Sequence, residues 1–183
     1  MIWEKSFRAD PRALKLADRH YNRQKPGTPQ FVPPGRCLVL YAKTDTGEAF
    51  WVTSWPLYSR HAWAGAWVCS AFRNEGAGIA SQLIIDAVSA TKAYFGSPPP
   101  LGMITFIDSK KVKPTRVRGC DTWGYSYIKA GFSYVGKTKS GLLTFQLLPE
   151  DMPKAEKAKE PHCQMTLIEL LERIERDGAA DTT

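Results

Sequence analysis

The sequence predicts a mixed α/β (α+β) fold, with a mixed central sheet, one long helix packed on it and a further helix at the C-terminus. Short runs rich in β-branched and aromatic residues are typical of strands, and they occur on both sides of residues 77–95. Residues 77–95 carry an apolar face at helical spacing, made of Ile79, Leu83, Ile84, Ala87, Val88 and Thr91. A chain of 183 residues can bury a sizeable core around these elements.

The chain begins with a short helix and a long loop. Residues 8–19 favour a helix, with Asp10 as the N-cap and Pro11 in the first helical position. Residues 20–35 contain four prolines and two glycines, which predict a loop. Loops of this length in compact domains are usually functional or disordered, and the aromatic and basic residues of this one favour a function.

The middle of the chain alternates between strands and helices. The residues T-D-T-G-E form a turn between the first two strands, and Gly96 with S-P-P-P ends the long helix. The remaining predicted elements are strands at 37–42, 49–54, 66–72 and 102–107, a short helix at 123–130 and a hairpin ending near residue 148.

The C-terminal part has a different composition. Residues 149–163 are charged and contain proline, which indicates a linker after a domain of residues 1–148. In the last segment, 164–183, Thr166 and Glu169 form a capping box for a helix of about residues 167–177. Its stripe of leucines and isoleucine would dock on the domain or on another chain, so a homodimer is one expected arrangement.

Bulk properties favour a cytoplasmic protein that does not enter a membrane. No apolar run is long enough to span a bilayer, and the first residues lack the apolar core of a secretory signal. The four cysteines are scattered without C-x-x-C spacing, which is typical of reduced thiols and argues against a zinc ribbon.

Positive charge is concentrated outside the C-terminal segment. The net charge is +7, but residues 149–183 carry five Lys/Arg against nine Asp/Glu, whereas the rest carries 20 against nine. Residues 1–44 and 109–139 supply most of the excess. Such a body favours a polyanion such as double-stranded DNA as partner, although a basic but inert surface has the same composition.

A glycine-containing turn links a predicted strand to the long helix. It reads R-N-E-G-A-G and covers six residues: Arg73, Asn74, Glu75, Gly76, Ala77 and Gly78. Backbone N–H groups and the helix dipole at such a turn bind phosphates, and glycine lets a ligand approach the backbone. The spacing is neither G-x-x-x-x-G-K-[ST] nor G-x-G-x-x-G, so a P-loop and a dinucleotide fold are not supported.

The turn fits R-x-x-G-x-G and resembles the acyl-CoA loop of the GNAT superfamily of N-acyltransferases. The order of elements over residues 36–148 is similar as well. This resemblance implies a GNAT-like sheet with a long cofactor-binding helix after the fourth strand, acetyl-CoA or another acyl-CoA as cofactor, and residues 73–78 as its binding site.

The N-terminal H-Y pair and the basic stretch after residue 107 resemble one GNAT-like family, the phage Mom proteins. The matching positions are His20, Tyr21, the Arg73 turn, Asp108 and Tyr127, although the spacing from Asp108 to Tyr127 is longer than in the family. The resemblance implies carbamoylmethylation of the N6 amine of adenine in phage or prophage DNA, which protects it from restriction, inside a bacterial host. It also implies a reaction centre formed by these four residues.

The implied chemistry needs side chains of these types. The N6 amine is a poor nucleophile because its lone pair is delocalised into the ring, so a base must take its proton or a metal must activate the donor. His, Asp and Tyr can act as base, orienter and acid, or His20, Tyr21 and Asp108 can bind a metal such as iron. Acyl transfer alone leaves an amide, so a carbamoylmethyl product requires further chemistry or another donor.

DNA binding would use basic and aromatic side chains. The target amine lies within the base stack, so the base must be flipped or single-stranded. Candidates for stacking are among Trp51, Trp55, Trp63, Trp67, Trp123 and Phe31. Candidates for phosphate contacts are Lys110, Lys111, Lys113, Arg116, Arg118, Arg23 and Lys25.

Two other functions are compatible with the sequence. One is an ordinary GNAT N-acetyltransferase for a small amine or a protein lysine, which would not bind DNA tightly. The other is a non-enzymatic DNA-binding module on a degenerate GNAT fold, which would not bind acyl-CoA. Each candidate residue also has a structural interpretation, for example as a helix-end histidine, a turn-capping aspartate or a core aromatic.

Overall fold

The computed structural model describes residues 1–32, 34–56 and 62–161. Across these residues the protein is mixed α+β, with a seven-stranded mixed sheet, a separate two-stranded hairpin and three α-helices. The strands of the large sheet lie in the order β1-β2-β3-β4-β5-β9-β8. The elements, in chain order, are β1 (Glu4–Ser6), α1 (Pro11–Asp18), β2 (Cys37–Thr44), β3 (Gly47–Ser54), β4 (Trp67–Glu75), α2 (Ala80–Phe95), β5 (Met103–Ile107), β6 (Thr115–Val117), β7 (Cys120–Thr122), α3 (Tyr125–Lys129), β8 (Ser133–Lys137) and β9 (Leu143–Leu147).

The sheet carries helices on both faces. Alternate residues of a strand point to opposite faces, so each strand contributes to two cores. On one face, Trp51 and Trp67 pack with the buried residues of α2. On the other face, Phe50 and Val52 pack with the buried residues of α1. The apolar periodicity that predicted the long helix therefore also marks the side of α2 that lies on the sheet.

Most predicted elements are confirmed, with shifted ends. Asp10 caps α1 by accepting a hydrogen bond from the backbone N–H of Arg12 at 2.9 Å. The long helix begins at Ala80 rather than residue 77, because Gly76 and Gly78 have φ of +87° and +154° and cannot belong to a right-handed helix. Strand β1 and the β6–β7 hairpin were not predicted, since strands of three residues show no periodic pattern.

Strands β4 and β5 pair for only part of their length. They run parallel and pair at Trp67–Cys69 with Met103–Thr105. Beyond Cys69, β4 stays paired with β3 as far as Asn74, while β5 stays paired with β9 as far as Ile107. The carboxyl-terminal halves of β4 and β5 therefore do not pair with each other, and a gap lies between them. The candidate site lies at this gap.

The segment after β9 runs back along the domain. Met152 is buried in the core beside α2, and the Ser89 hydroxyl donates to the carbonyl of Lys154 at 2.5 Å. Lys159 then hydrogen-bonds β1 next to Glu4. The predicted linker thus lies against the domain as far as Lys159, and the predicted C-terminal helix falls outside the described residues. Among the described helices, none combines the length and apolarity that crossing a bilayer requires.

Candidate functional site

The segment His20-Tyr21-Asn22 lies across the gap between β4 and β5. It follows α1 directly, with the backbone N–H of His20 bonded to the carbonyl of Ala17 at 3.0 Å. The Tyr21 hydroxyl donates to the carbonyl of Phe106 on β5 at 3.1 Å, and the Asn22 amide donates to the carbonyl of Ser70 on β4 at 2.8 Å. Backbone groups of strands that have stopped pairing need new partners. Tyr21 and Asn22 supply them and connect the two strands.

His20 is held by Asn22. The imidazole Nδ1 lies 2.5 Å from Asn22 Oδ1, and only 8% of His20 is exposed. Because Asn22 Nδ2 is committed to Ser70, its oxygen faces the ring and orients it. Burial lowers the pKa of His20 below its usual 6.5, although the hydrogen bond to Asn22 opposes the shift. The ring is therefore oriented and neutral near pH 7.

Asp108 directly follows β5 and lies beside Tyr21. Its Oδ1 accepts a hydrogen bond from the backbone N–H of Lys110 at 3.0 Å, and its Oδ2 lies 4.0 Å from Lys111 Nζ. The turn-capping interpretation of Asp108 is therefore correct, and a functional role would use the same carboxylate. Burial raises the pKa of Tyr21, which stays protonated at neutral pH. Both side chains line a pocket of about 570 Å³ in the gap.

Tyr127 contacts Cys69 at the point where β4 and β5 last pair. Its hydroxyl lies 3.3 Å from Cys69 Sγ, and Cys69 pairs with Thr105 where β4 and β5 last meet. Burial raises the pKa of Tyr127 well above 10 and that of Cys69 to about 12, so both groups keep their protons. The residues between Asp108 and Tyr127 include the β6–β7 hairpin.

A second pocket lies on the other side of the His20-Tyr21-Asn22 segment. Its volume is about 580 Å³, and it opens between the Pro/Gly loop and the face of the sheet that carries α1. Its walls combine aromatic and amide side chains, including those of His20, Phe31, Phe50, Gln24 and Gln30. Asn22, Arg23, Gln24 and Ser70 line both pockets, so the two cavities share one wall.

The glycine-containing turn is shorter than the sequence predicted. β4 continues to Glu75, and Arg73 pairs with Phe50 of β3, so the turn proper starts at Gly76. The Asn74 side chain stabilises the turn with two hydrogen bonds. It accepts one from the backbone N–H of Ala77 at 2.9 Å and donates one to the carbonyl of Gly78 at 2.8 Å. A Cβ on Gly76 would lie 2.8 Å from the carbonyl oxygen of Thr46, so packing against the β2–β3 turn also requires glycine there.

The N-terminus of α2 is open to ligands. In the described part of the chain, no side chain caps this helix, and its first turn contains no acidic residue. The N-cap residue, Ile79, is 76% exposed, and a Cβ on Gly78 would meet no protein atom within 4 Å. An uncapped helix N-terminus presents unpaired N–H groups and the positive end of the dipole, which attract anions.

Arg73 is engaged by neighbouring groups. Its Nε donates to Glu75 Oε1 at 2.5 Å, and its Nη1 donates to the carbonyl of Arg19 at 2.6 Å. Arg19 also forms an ion pair with Glu75. Hydrogen bonds from Arg19 and then Arg73 hold the pKa of the Glu75 carboxyl at about 2, against its burial. Arg73 is therefore next to the turn, but a ligand would have to share or replace its present contacts.

The basic residues near the gap are mostly exposed. Lys110, Lys111, Lys113, Arg116, Arg118 and Lys25 have exposed side chains. Arg118 and Gly119, with φ of +48° and +85°, form the two-residue turn at the tip of the β6–β7 hairpin. Arg23 differs, because its guanidinium donates to Asp18, Gln30 and Thr28 and thereby holds the Pro/Gly loop together. The predicted phosphate contact of Arg23 would compete with these bonds.

Two of the proposed stacking residues are buried. Trp51 and Trp67 have no exposed surface and lie in the core, so they are not accessible for stacking on a base. Large aromatic side chains contribute most to a core when buried, which explains their placement. Trp55, Trp63, Trp123 and Phe31 are partly exposed, and Phe31 lines the second pocket.

The predicted metal ligands are His20, Tyr21 and Asp108. Among the described residues, no group of three or more His, Cys, Asp or Glu side chains is close enough to hold a metal ion. His20 Nδ1, the Tyr21 hydroxyl and Asp108 Oδ1 are each engaged in the hydrogen bonds given above. As arranged, these atoms do not form a vacant ligand set for iron.

Sequence reasoning missed Asn22, Arg19 and Cys69. Asn22 directly follows the H-Y pair, so its position next to two candidate residues was a signal for a role at the site. Arg19 and Cys69 gave no signal, because their partners lie 56 and 58 residues away and only the fold brings them together. Comparison with known proteins gives no match for this chain, whether to family models, to curated proteins or to solved structures.

Proposed function

We propose that this protein is a GNAT-like, acyl-CoA-dependent enzyme that modifies the N6 amine of adenine in DNA, as the Mom proteins do. In a phage or prophage, this modification would protect the DNA from restriction. The observation that supports it most is the gap between β4 and β5. Tyr21 and Asp108, distant in sequence, line this gap, His20 lines the pocket that shares a wall with it, and the glycine-containing turn lies at the end of the same β4 strand.

The turn and helix α2 suit the pyrophosphate of an acyl-CoA. The open N–H groups of the helix, the exposed Gly78 and the guanidinium of Arg73 provide donors on one side of the gap. A pyrophosphate accepts such donors well, because charged hydrogen bonds and a helix dipole act on it together. Acyl-CoA would supply an activated carbonyl carbon, which the gap would place near His20 and Tyr21.

The residues at the gap suit proton transfer. Attack by N6 forms an N–C bond, breaks the C–S bond of the donor and releases one proton from the amine. His20 is neutral and oriented by Asn22, so it is the candidate base. Tyr21 and Tyr127 keep their protons, so either can protonate the leaving thiolate. This step leaves an amide at N6, so a carbamoylmethyl product would need further chemistry or another donor.

The surroundings of the gap suit DNA. The basic residues at 110–118 follow Asp108 directly, and phosphate contacts there would place a strand beside the pocket. The second pocket has an aromatic side chain, Phe31, and the amides of Gln24 and Gln30, groups that stack on a base and hydrogen-bond to its edge. Its shared wall with the gap would put a flipped base next to His20.

A second candidate is acetylation of a small amine or a protein lysine. Asp108 favours it, because a partly exposed carboxylate in the gap pocket would attract an ammonium group. The two functions differ in what they predict for DNA. The DNA-modifying enzyme must bind duplex DNA with strong salt dependence, and the amine acetyltransferase need not.

Expression of the chain in bacteria tests the proposal directly. Mass spectrometry of digested host DNA should show a new adenine species, and its mass would identify the transferred group. Cells that express His20→Ala serve as the matched control and should lack this species. Unmodified adenine in cells that accumulate the folded wild-type protein would contradict the proposal.

A further inference from the structure

The carboxylate of Glu75 holds two guanidinium groups together at the end of β4. Arg19 Nε lies 2.8 Å from Oε1 and Arg19 Nη2 lies 2.5 Å from Oε2, a two-point pairing. Arg73 Nε approaches the same Oε1 at 2.5 Å. Arg73 also binds the carbonyl of Arg19 at 2.6 Å, which fixes the two arginine residues next to each other.

This cluster lies where an anionic ligand would arrive. Glu75 immediately precedes Gly76, and the three side chains are 31–49% exposed, so solvent and ligands can reach them. Two cations against one carboxylate leave a net charge of +1. The α2 N-terminus next to it has no side-chain cap in the described chain, although a carboxylate is only a few residues away. Glu75 faces the arginines instead of the helix.

We propose that Glu75 competes with the anionic ligand of this turn and that Arg19, together with Arg73, binds the ligand's phosphate groups. A guanidinium presents the same pair of N–H donors to a carboxylate and to a phosphate, so a phosphate can take over the contacts that Glu75 makes now. The inference rests on the proposed function in so far as the natural ligand is an acyl-CoA. Whatever the rest of the ligand is, two arginines would bind its diphosphate.

The Glu75→Gln variant tests the competition. Inorganic pyrophosphate is the probe, because it carries the anionic group without an acyl chain, and binding is measured by calorimetric titration. If Glu75 competes, its neutralisation should tighten binding about two- to thirtyfold, the range expected from releasing two exposed ion pairs. A purely structural Glu75 predicts the opposite sign, because Arg19 and Arg73 would lose their orientation.

Glu48→Gln is the charge-matched control. Glu48 is close enough to Arg19 to influence it electrostatically, but its carboxylate accepts a hydrogen bond from Tyr41 at 2.7 Å. Removing this charge changes the local potential without releasing either arginine from Glu75. A gain in affinity for Glu75→Gln that clearly exceeds that for Glu48→Gln supports competition, and equal gains would reduce the effect to general electrostatics and overturn it.

Arg19→Ala in the Glu75→Gln background tests the second half of the inference. If Arg19 serves only to pair with Glu75, its loss in that background changes nothing. If it binds phosphate, affinity for pyrophosphate should fall about tenfold or more, since hydrogen bonds to charged groups are strong. Melting curves of all variants confirm that each is folded.

The outcomes separate this inference from the proposed function. Equal or weaker pyrophosphate binding by folded Glu75→Gln overturns the competition, even if host adenine is modified. Absence of binding to pyrophosphate and to acetyl-CoA in every variant counts against both. Tighter binding without any modified adenine would support the diphosphate site and contradict the enzymatic proposal.

Discussion

The two ends of strand β4 differ in almost every respect. At its start, Trp67 and Cys69 are buried, lie between two neighbouring strands and pack against α2. At its end, Arg73 and Glu75 are charged and partly exposed, and β4 there pairs with β3 alone as far as Asn74. One continuous strand therefore supports the fold with one half and presents charged, partly exposed groups with the other.

The loss of one neighbour explains this difference. A strand paired on both sides has satisfied backbone groups and apolar side chains, so it can offer little to a ligand. Where β5 turns away, the carbonyl of Ser70 is left for Asn22, and the space beside it becomes the gap pocket. The candidate chemistry lies where pairing ends, and substitutions in the two halves should have separable effects.

The largest effect is expected at His20. Replacing it with alanine should lower adenine modification by about 10²–10⁴-fold, the usual contribution of a general base, while acyl-CoA and DNA affinities stay nearly unchanged. Asp108→Ala should lose activity similarly. Modified adenine per total adenine is measured in cells, beside the melting curve of each purified variant. A folded Asp108→Ala protein with normal modification would remove Asp108 from the reaction centre.

Substitutions at the start of β4 should lower the stability of the fold instead. Trp67 is fully buried, so Trp67→Ala should reduce the free energy of unfolding by about 3–5 kcal/mol. Arg73→Ala, at the other end, removes a partly exposed ion pair and should change it by about 1 kcal/mol or less. Urea denaturation of the wild type, Trp67→Ala and Arg73→Ala measures these free energies of unfolding. Similar losses for both variants would mean that β4 is structurally uniform.

Substitutions at the end of β4 should weaken ligand binding. Arg73→Ala should weaken acetyl-CoA binding roughly ten- to a hundredfold, because one charged hydrogen bond contributes about 1.5–3 kcal/mol. Trp67→Phe, which keeps the core filled, is the matched control and should bind normally if it folds. Calorimetric titration gives the affinities, and equal values for wild type and Arg73→Ala would exclude Arg73 from the site.

This division also shows what the sequence can predict. The buried half of β4 and the face of α2 were predictable, because apolar periodicity results directly from burial on one side. The short strands and the end of β4 were not, since three-residue strands carry no pattern and Arg73 looks like a loop residue before glycine. His20 and Asp108 were candidates only through a family resemblance, whereas their placement in two pockets that share a wall depends on where β4 and β5 separate.

Lysines beyond the gap should affect DNA binding alone. If Lys110, Lys111 and Lys113 contact phosphates, changing all three to alanine should reduce the slope of log affinity against log salt by up to about 0.9 per lost contact. Acetyl-CoA affinity should stay the same. Lys43→Ala, an exposed lysine on β2, is the control. Fluorescence anisotropy with duplex DNA at several salt concentrations would show an unchanged slope if these lysines face away from DNA.

The smallest effect concerns the pH dependence of stability. Burial lowers the pKa of His20 in the folded protein below 6.5, so between these two pKa values the unfolded chain holds a proton that the folded protein lacks. Stability therefore rises with pH in this range and falls as the pH drops below 6.5, by at most about 1.4 kcal/mol per pH unit for one group. In His20→Gln this contribution is absent, although the new amide can still donate to Asn22. Urea denaturation of both proteins between pH 5 and 7.5 should show curves that diverge at low pH, with the wild type losing more. Parallel curves would mean that His20 titrates as it does in water, and the buried, neutral base of the proposed mechanism would then be wrong.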